Sequence, residues 1–367
     1  MKVLILGGTG AMGEPLTEIL VNNGHEVYVT SRKHHVSSGN LHFIQGNAKD
    51  DSFLEEITQT NYDAIVDFMH YRLDEFRMRM DILLTSANHY LFLSSCRTFA
   101  PSEEPITEMS PRLLDVATDA DFLATDEYAL SKARIEDCLK SSNYHNYSII
   151  RPYITYNTER LQLGMYEKET WLYRALKGRK IIFCKELATK RTTLTYGNDV
   201  ARLIAKIIGD RKACEEVFNI VTDESMTWGE VFEVYSQTLE KCTGTRPEIV
   251  LLDDVTDINK IIGNTYKLKY DRMGDRVFNN EKIMRYANDT EFVSMREGLQ
   301  KSLETFLTEK PRWKYIQWGL EGYFDRLEKV ITPLSEIPSF KQRIKYILFR
   351  YTPYLKFYLR KKSERWW

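Results

Sequence analysis

The sequence has little of what marks a metal centre or a secreted framework. Five cysteines (Cys96, Cys138, Cys184, Cys214 and Cys242) are scattered through 367 residues, with no C-x-x-C pair and no histidine cluster beside them. That disfavours a zinc site or a disulfide framework and fits a reducing compartment, so a cytoplasmic protein is expected. The seven histidines include the pair His34-His35 but no H-x-x-x-H pattern, and no metal is expected. No apolar run approaches the roughly 20 residues of a membrane span. Met1 and Lys2 lead directly into an apolar strand that glycines cut short, which is not the pattern of a secretory signal. Internal repeats and low-complexity linkers are missing as well. The formal charge is nearly balanced at −1, but unevenly distributed: residues 339–367 hold nine Lys or Arg and one acid, Glu364, which leaves −9 for the rest. Such a tail is expected to have a partner of its own.

What is present begins at once. In residues 1–13, MKVLILGGTGAMG, the run Val3-Leu4-Ile5-Leu6 has the character of a strand buried on both faces. Gly7, Gly10 and Gly13 follow, then a helix carrying Leu16, Ile19 and Leu20. Strand, glycine turn and helix make a phosphate cradle. The glycines let the backbone turn tightly and approach a pyrophosphate, and the helix N-terminus offers N–H groups and a positive dipole end. Further strands are read at 26–30, 41–45, 64–67, 90–94 and 147–150, alternating with helices, of which 126–140 is one. This alternation predicts an α/β fold with a doubly wound parallel sheet. Beyond Pro152 the pattern loosens into a loop at 157–164, helices at 168–177, 199–208, 228–241 and 295–307, and short strands at 180–183, 192–195 and 217–221. The expected organisation is a nucleotide-binding domain at 1–155, to which 192–222 returns, a smaller mixed substrate-binding region at 156–310, and a basic, aromatic, helical appendage at 311–367.

Five landmarks occur in order: Gly7-Gly8-Thr9-Gly10-Ala11-Met12-Gly13, Ser94-Ser95, Tyr128-Ala129-Leu130-Ser131-Lys132, Arg151-Pro152 and Tyr196-Gly197-Asn198-Asp199-Val200-Ala201. On these, residues 1–307 resemble the extended short-chain dehydrogenase/reductases in their NAD-dependent epimerase/dehydratase branch. The resemblance implies a Rossmann-type fold, a dinucleotide held at Gly7, Gly10, Met12 and Gly13, and chemistry on a nucleotide sugar. Tyr128 and Lys132 lie one helical turn apart and emerge on one face. A nearby ammonium favours the phenolate of a tyrosine whose ordinary pKa near 10 makes it a poor base. Tyr173/Lys177 and Tyr358/Lys362 have the same spacing but do not lie between the Ser-Ser and Arg-Pro strand ends. In the family the lysine also holds the nicotinamide ribose, and a Ser or Thr orients the reacting oxygen. Phe99 matches the aromatic four residues beyond that Ser or Thr, so Ser95 is preferred to Ser94.

Several positions depart from the family. Cys96 and Arg97 stand where dehydratases carry an Asp-Glu pair and decarboxylating relatives keep the Glu, which disfavours both reactions. Arg97 is read either as facing a substrate phosphate or carboxylate or as part of a salt bridge. Strand two ends in Thr30-Ser31-Arg32-Lys33, without the acid that selects NAD, so Ser31 and Arg32 are expected to bind a 2′-phosphate and NADP is favoured over NAD. Asn47 stands where an Asp usually contacts adenine, and Asp67 is read as a helix N-cap. Asn157 and Arg191 resemble positions that hold the nucleotide sugar, and Asp199 is read as structural.

The function expected from the resemblance is a nucleotide-sugar epimerase or keto-sugar reductase with a Ser95/Tyr128/Lys132 site, of the kind that serves polysaccharide biosynthesis. The alternative is a non-enzymatic RNA-binding member of the epimerase-like family, disfavoured because the main body is acidic. A homodimer fits the same resemblance. In the tail, Phe340, Ile344, Ile347, Leu348 and Tyr351 recur at helical spacing, and Thr352-Pro353 reads as the start of a second helix. Three readings stay open for it: a helical pair folded onto the main body, a peripheral anchor on an anionic membrane with Trp366-Trp367 in the interface, or a contact to nucleic acid.

Overall fold

The computed structural model describes residues 1–286, 291–309 and 312–352. The chain forms two compact units. The first comprises Met1–Asn157, Arg191–Ser225 and Asp275–Gly298, and the second comprises Thr158–Lys190, Met226–Gly274 and the chain from Leu299 onward. Segment 191–225, which includes the expected returning stretch 192–222, and segment 275–298 both go with the first unit.

The first unit is built on a seven-stranded sheet. Six strands are β1 (Lys2–Leu6), β2 (Glu26–Ser31), β3 (Leu41–Gln45), β4 (Tyr62–Asp67), β5 (Ala87–Leu93) and β6 (Tyr147–Pro152), and the seventh is Val217–Ile220. Their spatial order is Val217–Ile220, β6, β5, β4, β1, β2, β3. Every neighbouring pair is parallel, with Leu4 opposite Tyr28 on one side of β1 and opposite Ile65 on the other. The apolar run in β1 follows from this central position. Val3 and Ile5 join Leu16, Leu20, Leu203 and Ile204 in a core on one face, and Leu4 and Leu6 join Leu83, Leu84, Ile135 and Leu139 in a core on the other. Strand order reverses between β1 and β4, and the crevice at the carboxyl ends of strands at such a point is where this architecture takes ligands.

In the second unit, strands Ile181–Cys184 and Ile249–Leu252 pair in parallel. The Trp228–Thr243 helix starts at a Thr227/Glu230 capping box and stops at Gly244, which lies in the left-handed region with φ 74°. The Trp318–Glu328 and Phe340–Tyr351 helices pack closely enough that a Cβ on Gly322 would fall 2.5 Å from the Tyr346 carbonyl oxygen. Tyr346 and Phe349 are buried there. Arg174, from the Lys168–Leu176 helix, is buried with its guanidinium on Glu321 at 2.7 Å, Asp325 at 3.0 Å and Glu328 at 2.7 Å. The described part of the expected appendage is thus integral to the second unit. The second tail helix expected from Pro353 lies outside the described residues.

Candidate active site

The glycine turn follows β1 directly. Gly7 has φ 71°, a conformation that favours glycine, and its N–H donates to the buried Thr30 hydroxyl of β2 at 3.0 Å. A Cβ on Gly13 would lie 2.5 Å from the Gly8 carbonyl oxygen, so α1 (Gly13–Asn22) can sit this close to the turn only with glycine at its first position. Gly10 differs, since a Cβ there would meet nothing within 4 Å. Met12, the N-cap of α1, makes no side-chain capping bond. Open space at a glycine just before a helix N-terminus is what a diphosphate requires, and Gly7, Gly10, Met12 and Gly13 fit a dinucleotide. Gly197, from the fifth landmark, closes the turn from another side: its Cβ would fall 2.4 Å from the Ala11 carbonyl oxygen.

At the end of β2, Thr30 and Ser31 are buried while Arg32 and Lys33 are exposed. The Ser31 hydroxyl accepts the Lys33 N–H at 3.2 Å, which shapes the turn that presents Arg32. Asn47 is exposed after β3, and its side-chain oxygen accepts the Lys49 N–H at 3.2 Å. A cavity of about 300 Å³ opens beside α1, lined by Gly8, Thr9, Glu14, Glu18, His35 and Phe43 among others, and it includes none of Ser95, Tyr128 or Lys132.

The reacting groups cluster past β4 and β5. Glu127 caps the Tyr128–Lys140 helix by accepting the Ala129 N–H at 2.6 Å, and its other oxygen takes the Arg97 guanidinium at 2.5 Å. Tyr128 is half-buried. His70 stacks on its ring with centroids 5.1 Å apart and planes 10° from parallel. Arg97 lies over the same ring at 5.0 Å, and the Lys132 ammonium is 6.0 Å from its centroid. Lys132 itself is buried, donating to the Leu93 carbonyl at 2.5 Å and the Met69 carbonyl at 3.1 Å. Burial pushes its pKa down to about 8, and the charges of Asp67 and Glu136 limit the fall. His70 is held below its ordinary value to about 4, by desolvation first and then by Lys132 and Lys49, so the stacked imidazole is neutral.

The two serines divide. The Ser94 hydroxyl donates to Glu136 at 2.5 Å, inside a buried group where Arg151 grips Glu136 at 2.8 and 2.5 Å. Burial works to raise the Glu136 pKa, but Arg151 and Ser94 hold it below the usual value. Ser95, nearly buried at the mouth of β5, accepts the Arg97 N–H at 3.2 Å. Cys96 is fully buried and donates to the Arg151 carbonyl at 3.1 Å; burial pushes its thiol well up, so it stays protonated.

The remaining candidates from the sequence fall at defined places, and the Asp67 cap needs correction. Of the two readings of Arg97, the salt bridge is present: Glu127 takes its guanidinium at 2.5 Å. Arg191 is exposed, and its guanidinium is engaged by the Ser225 carbonyl at 2.8 Å and hydroxyl at 2.7 Å. Asn157 ends the first unit's leading segment and is half-buried. Asp67 is not a helix cap. The next helix begins at Leu73, and fully buried Asp67 accepts Tyr90 O–H at 2.7 Å, Met69 N–H at 2.9 Å and Tyr71 O–H at 3.4 Å, burial driving its pKa upward. Asp199 accepts the Val293 N–H at 2.9 Å and pairs with Arg202, a structural role. His70 and Glu127 are site residues that motif reading missed. The signal available was their adjacency to landmarks, His70 just past the end of β4 and Glu127 immediately before Tyr128.

A glycine turn at the switch point of a parallel sheet, with a tyrosine–lysine helix beside it, defines a dinucleotide-binding protein of the short-chain dehydrogenase/reductase class. A family model, the NAD dependent epimerase/dehydratase family, matches residues 3–220, and the chain belongs to that family. Among solved structures it is similar to the enzyme WbmH of Bordetella bronchiseptica in complex with NAD+, at 16% identity and a TM-score of 0.61 over 84% of this chain and 98% of that one. It is similar also to the UDP-glucose 4-epimerase of Thermus thermophilus in complex with NAD, at 18% identity and a TM-score of 0.60 over 84% and 100%. The UDP-glucuronic acid 4-epimerase of Bacillus cereus, in complex with UDP-glucuronic acid and NAD, matches at 16% identity and a TM-score of 0.62 over 84% and 99%. At these identities the likeness is one of fold. A curated relative, the chloroplast stem-loop binding protein of 41 kDa b of Arabidopsis thaliana, is 25% identical over 68% of this chain, and the match spans 65% of the relative's length. Among the described residues no cluster of metal-ligating side chains occurs, and no helix is long and apolar enough to cross a membrane.

Proposed function

We propose that the protein is an NAD(P)-dependent nucleotide-sugar epimerase or keto-sugar reductase. The observation that carries this reading is the surrounding of Tyr128: Arg97 and Lys132 place two cations 5.0 and 6.0 Å from its ring, in the family that uses a tyrosine at this place. Positive charge near a phenol favours its ionised form. Tyr128 then exchanges a proton with a sugar hydroxyl or carbonyl oxygen, and Ser95 orients that oxygen. A bound nicotinamide dinucleotide supplies the hydride acceptor and donor. Gly7, Gly10, Met12 and Gly13 hold its diphosphate, and Lys132 its nicotinamide ribose. Arg32, exposed at the end of β2 where no acid stands, supports NADP(H) over NAD(H). Dehydration and decarboxylation are disfavoured, because Cys96 remains a buried thiol and Arg97 is a permanent cation paired with Glu127.

Tyr128→Phe tests this. Screened against UDP- and other nucleotide-linked sugars, the variant is expected to lose kcat by at least about a hundredfold, the general acid–base contribution, with dinucleotide affinity retained. Unchanged turnover of an identified substrate would sink the assignment. The name of the Arabidopsis relative supports the competing RNA-binding reading. A steep, salt-dependent affinity for stem-loop RNA, with no turnover of any nucleotide sugar, would put that reading in its place.

A further inference from the structure

We propose that the Phe340–Tyr351 helix is a docking surface for an anionic lipid bilayer. The inference concerns the second unit alone and is independent of the reading of Tyr128. One face of this helix is fixed inside the protein: Tyr346 donates to Asp325 at 2.7 Å and accepts the Thr332 N–H at 2.8 Å, and Phe349 is fully buried. The other face is apolar and exposed. Phe340 is 77% exposed, Ile344 43%, Ile347 38% and Tyr351 55%. Their spacing of four, three and four residues places them in one stripe along 12 residues.

Basic residues border that stripe on both sides, Lys341 on one and Arg343 and Arg350 on the other. The two arginines are pinned there, each Nε donating to a backbone carbonyl: Arg343 to Ile337 at 3.0 Å and Arg350 to Val330 at 2.9 Å. Just upstream, Ile331 and Leu334 are also exposed, at 62% and 44%. Downstream the sequence keeps the same chemistry, with Tyr354, Leu355, Phe357, Tyr358 and Leu359 set among Lys356, Arg360, Lys361 and Lys362. An apolar strip bordered by cations matches the acyl–headgroup boundary, where the strip enters the hydrocarbon edge and the cations meet lipid phosphates. The aliphatic centre, Ile344 and Ile347, sets this apart from a nucleic-acid surface, which uses flat aromatic rings for base stacking. A second copy of the chain is a poor fit as well, since it would bring two basic segments face to face.

The test is co-sedimentation of the full chain with vesicles of phosphatidylglycerol and phosphatidylcholine, against vesicles of phosphatidylcholine alone. The expected result is binding to the anionic vesicles at low salt and its loss at high salt. Ile344→Ser with Ile347→Ser, at exposed positions, is expected to leave thermal unfolding unchanged and to weaken partitioning by at least about tenfold. Lys341→Glu should weaken it as well. The proposal is overturned if the unmodified protein ignores anionic vesicles at low salt, or if the double serine variant binds them undiminished. It is overturned equally if the double variant dissociates a dimer that never bound vesicles, or if a stem-loop RNA is bound while vesicles are not.

Discussion

Gly10 separates what the glycine turn does for folding from what it does for a ligand. A Cβ added there meets nothing within 4 Å, and the residue is not among the glycines with positive φ. Gly10→Ala should therefore leave the free protein intact or more stable, by about 0.4–1 kcal/mol, through a less flexible unfolded chain. If the open space holds a diphosphate, the same methyl displaces it from the α1 N-terminus. Loss of one charge-assisted hydrogen bond at about 1.5–3 kcal/mol is a fall in dinucleotide affinity of roughly tenfold to a hundredfold. Gly13→Ala is the contrast. Its Cβ would lie 2.5 Å from the Gly8 carbonyl oxygen and 2.6 Å from the carbonyl carbon, both backbone, so turn and helix must part, at about 1–3 kcal/mol of stability. Isothermal titration with NADPH and NADH, alongside thermal unfolding, reads both effects. If Gly10→Ala binds both dinucleotides as tightly as the unmodified protein, the cradle is empty of function and the reasoning fails.

Two further outcomes follow from charge. Arg32→Ala should erase a preference for NADP(H), at about 1–3 kcal/mol for the lost contact to the 2′-phosphate, and tighter binding of NAD(H) by the unmodified protein would remove the basis for that expectation. Lys132, at about 8 in the folded protein against an ordinary 10.5, binds its proton more weakly folded than unfolded. Between those values the unfolded state holds more protons, so this group makes stability rise with pH across the window, by at most about 3 kcal/mol. Urea unfolding of Lys132→Met should lack that rise, and a variant with the same pH slope as the unmodified protein would refute the assignment.

The parts of this molecule that the sequence announces are those fixed by local chemistry. The run Val3-Leu4-Ile5-Leu6 and the glycines after it specify strand, turn and helix through neighbours a few residues away, and the structure has them at Lys2–Leu6 and Gly13–Asn22. The Tyr128/Lys132 helix is equally local. Misreadings arise where the partner is remote. Asp67 looks like a cap until Tyr90, 23 residues on, is seen to donate to it. The two readings of Arg97 stay open until Glu127, 30 residues on, is seen to take it. Nothing local marks the Trp318–Glu328 helix: its Glu321, Asp325 and Glu328 surround an arginine about 150 residues earlier.

That arginine has a consequence for the birth of the chain. Arg174 leaves the ribosome 147, 151 and 154 residues ahead of the three carboxylates that neutralise it. At about 5–20 residues per second, the interval is on the order of ten to thirty seconds. A buried guanidinium without its counter-ions is strongly unfavourable, by about 3–5 kcal/mol, so the Lys168–Leu176 helix cannot settle into its final environment during that interval. The second unit must wait for the Trp318–Glu328 helix before it can close. A released chain ending before residue 321 should remain sensitive to protease around Arg174, while the released full chain, with both packing helices available, should resist.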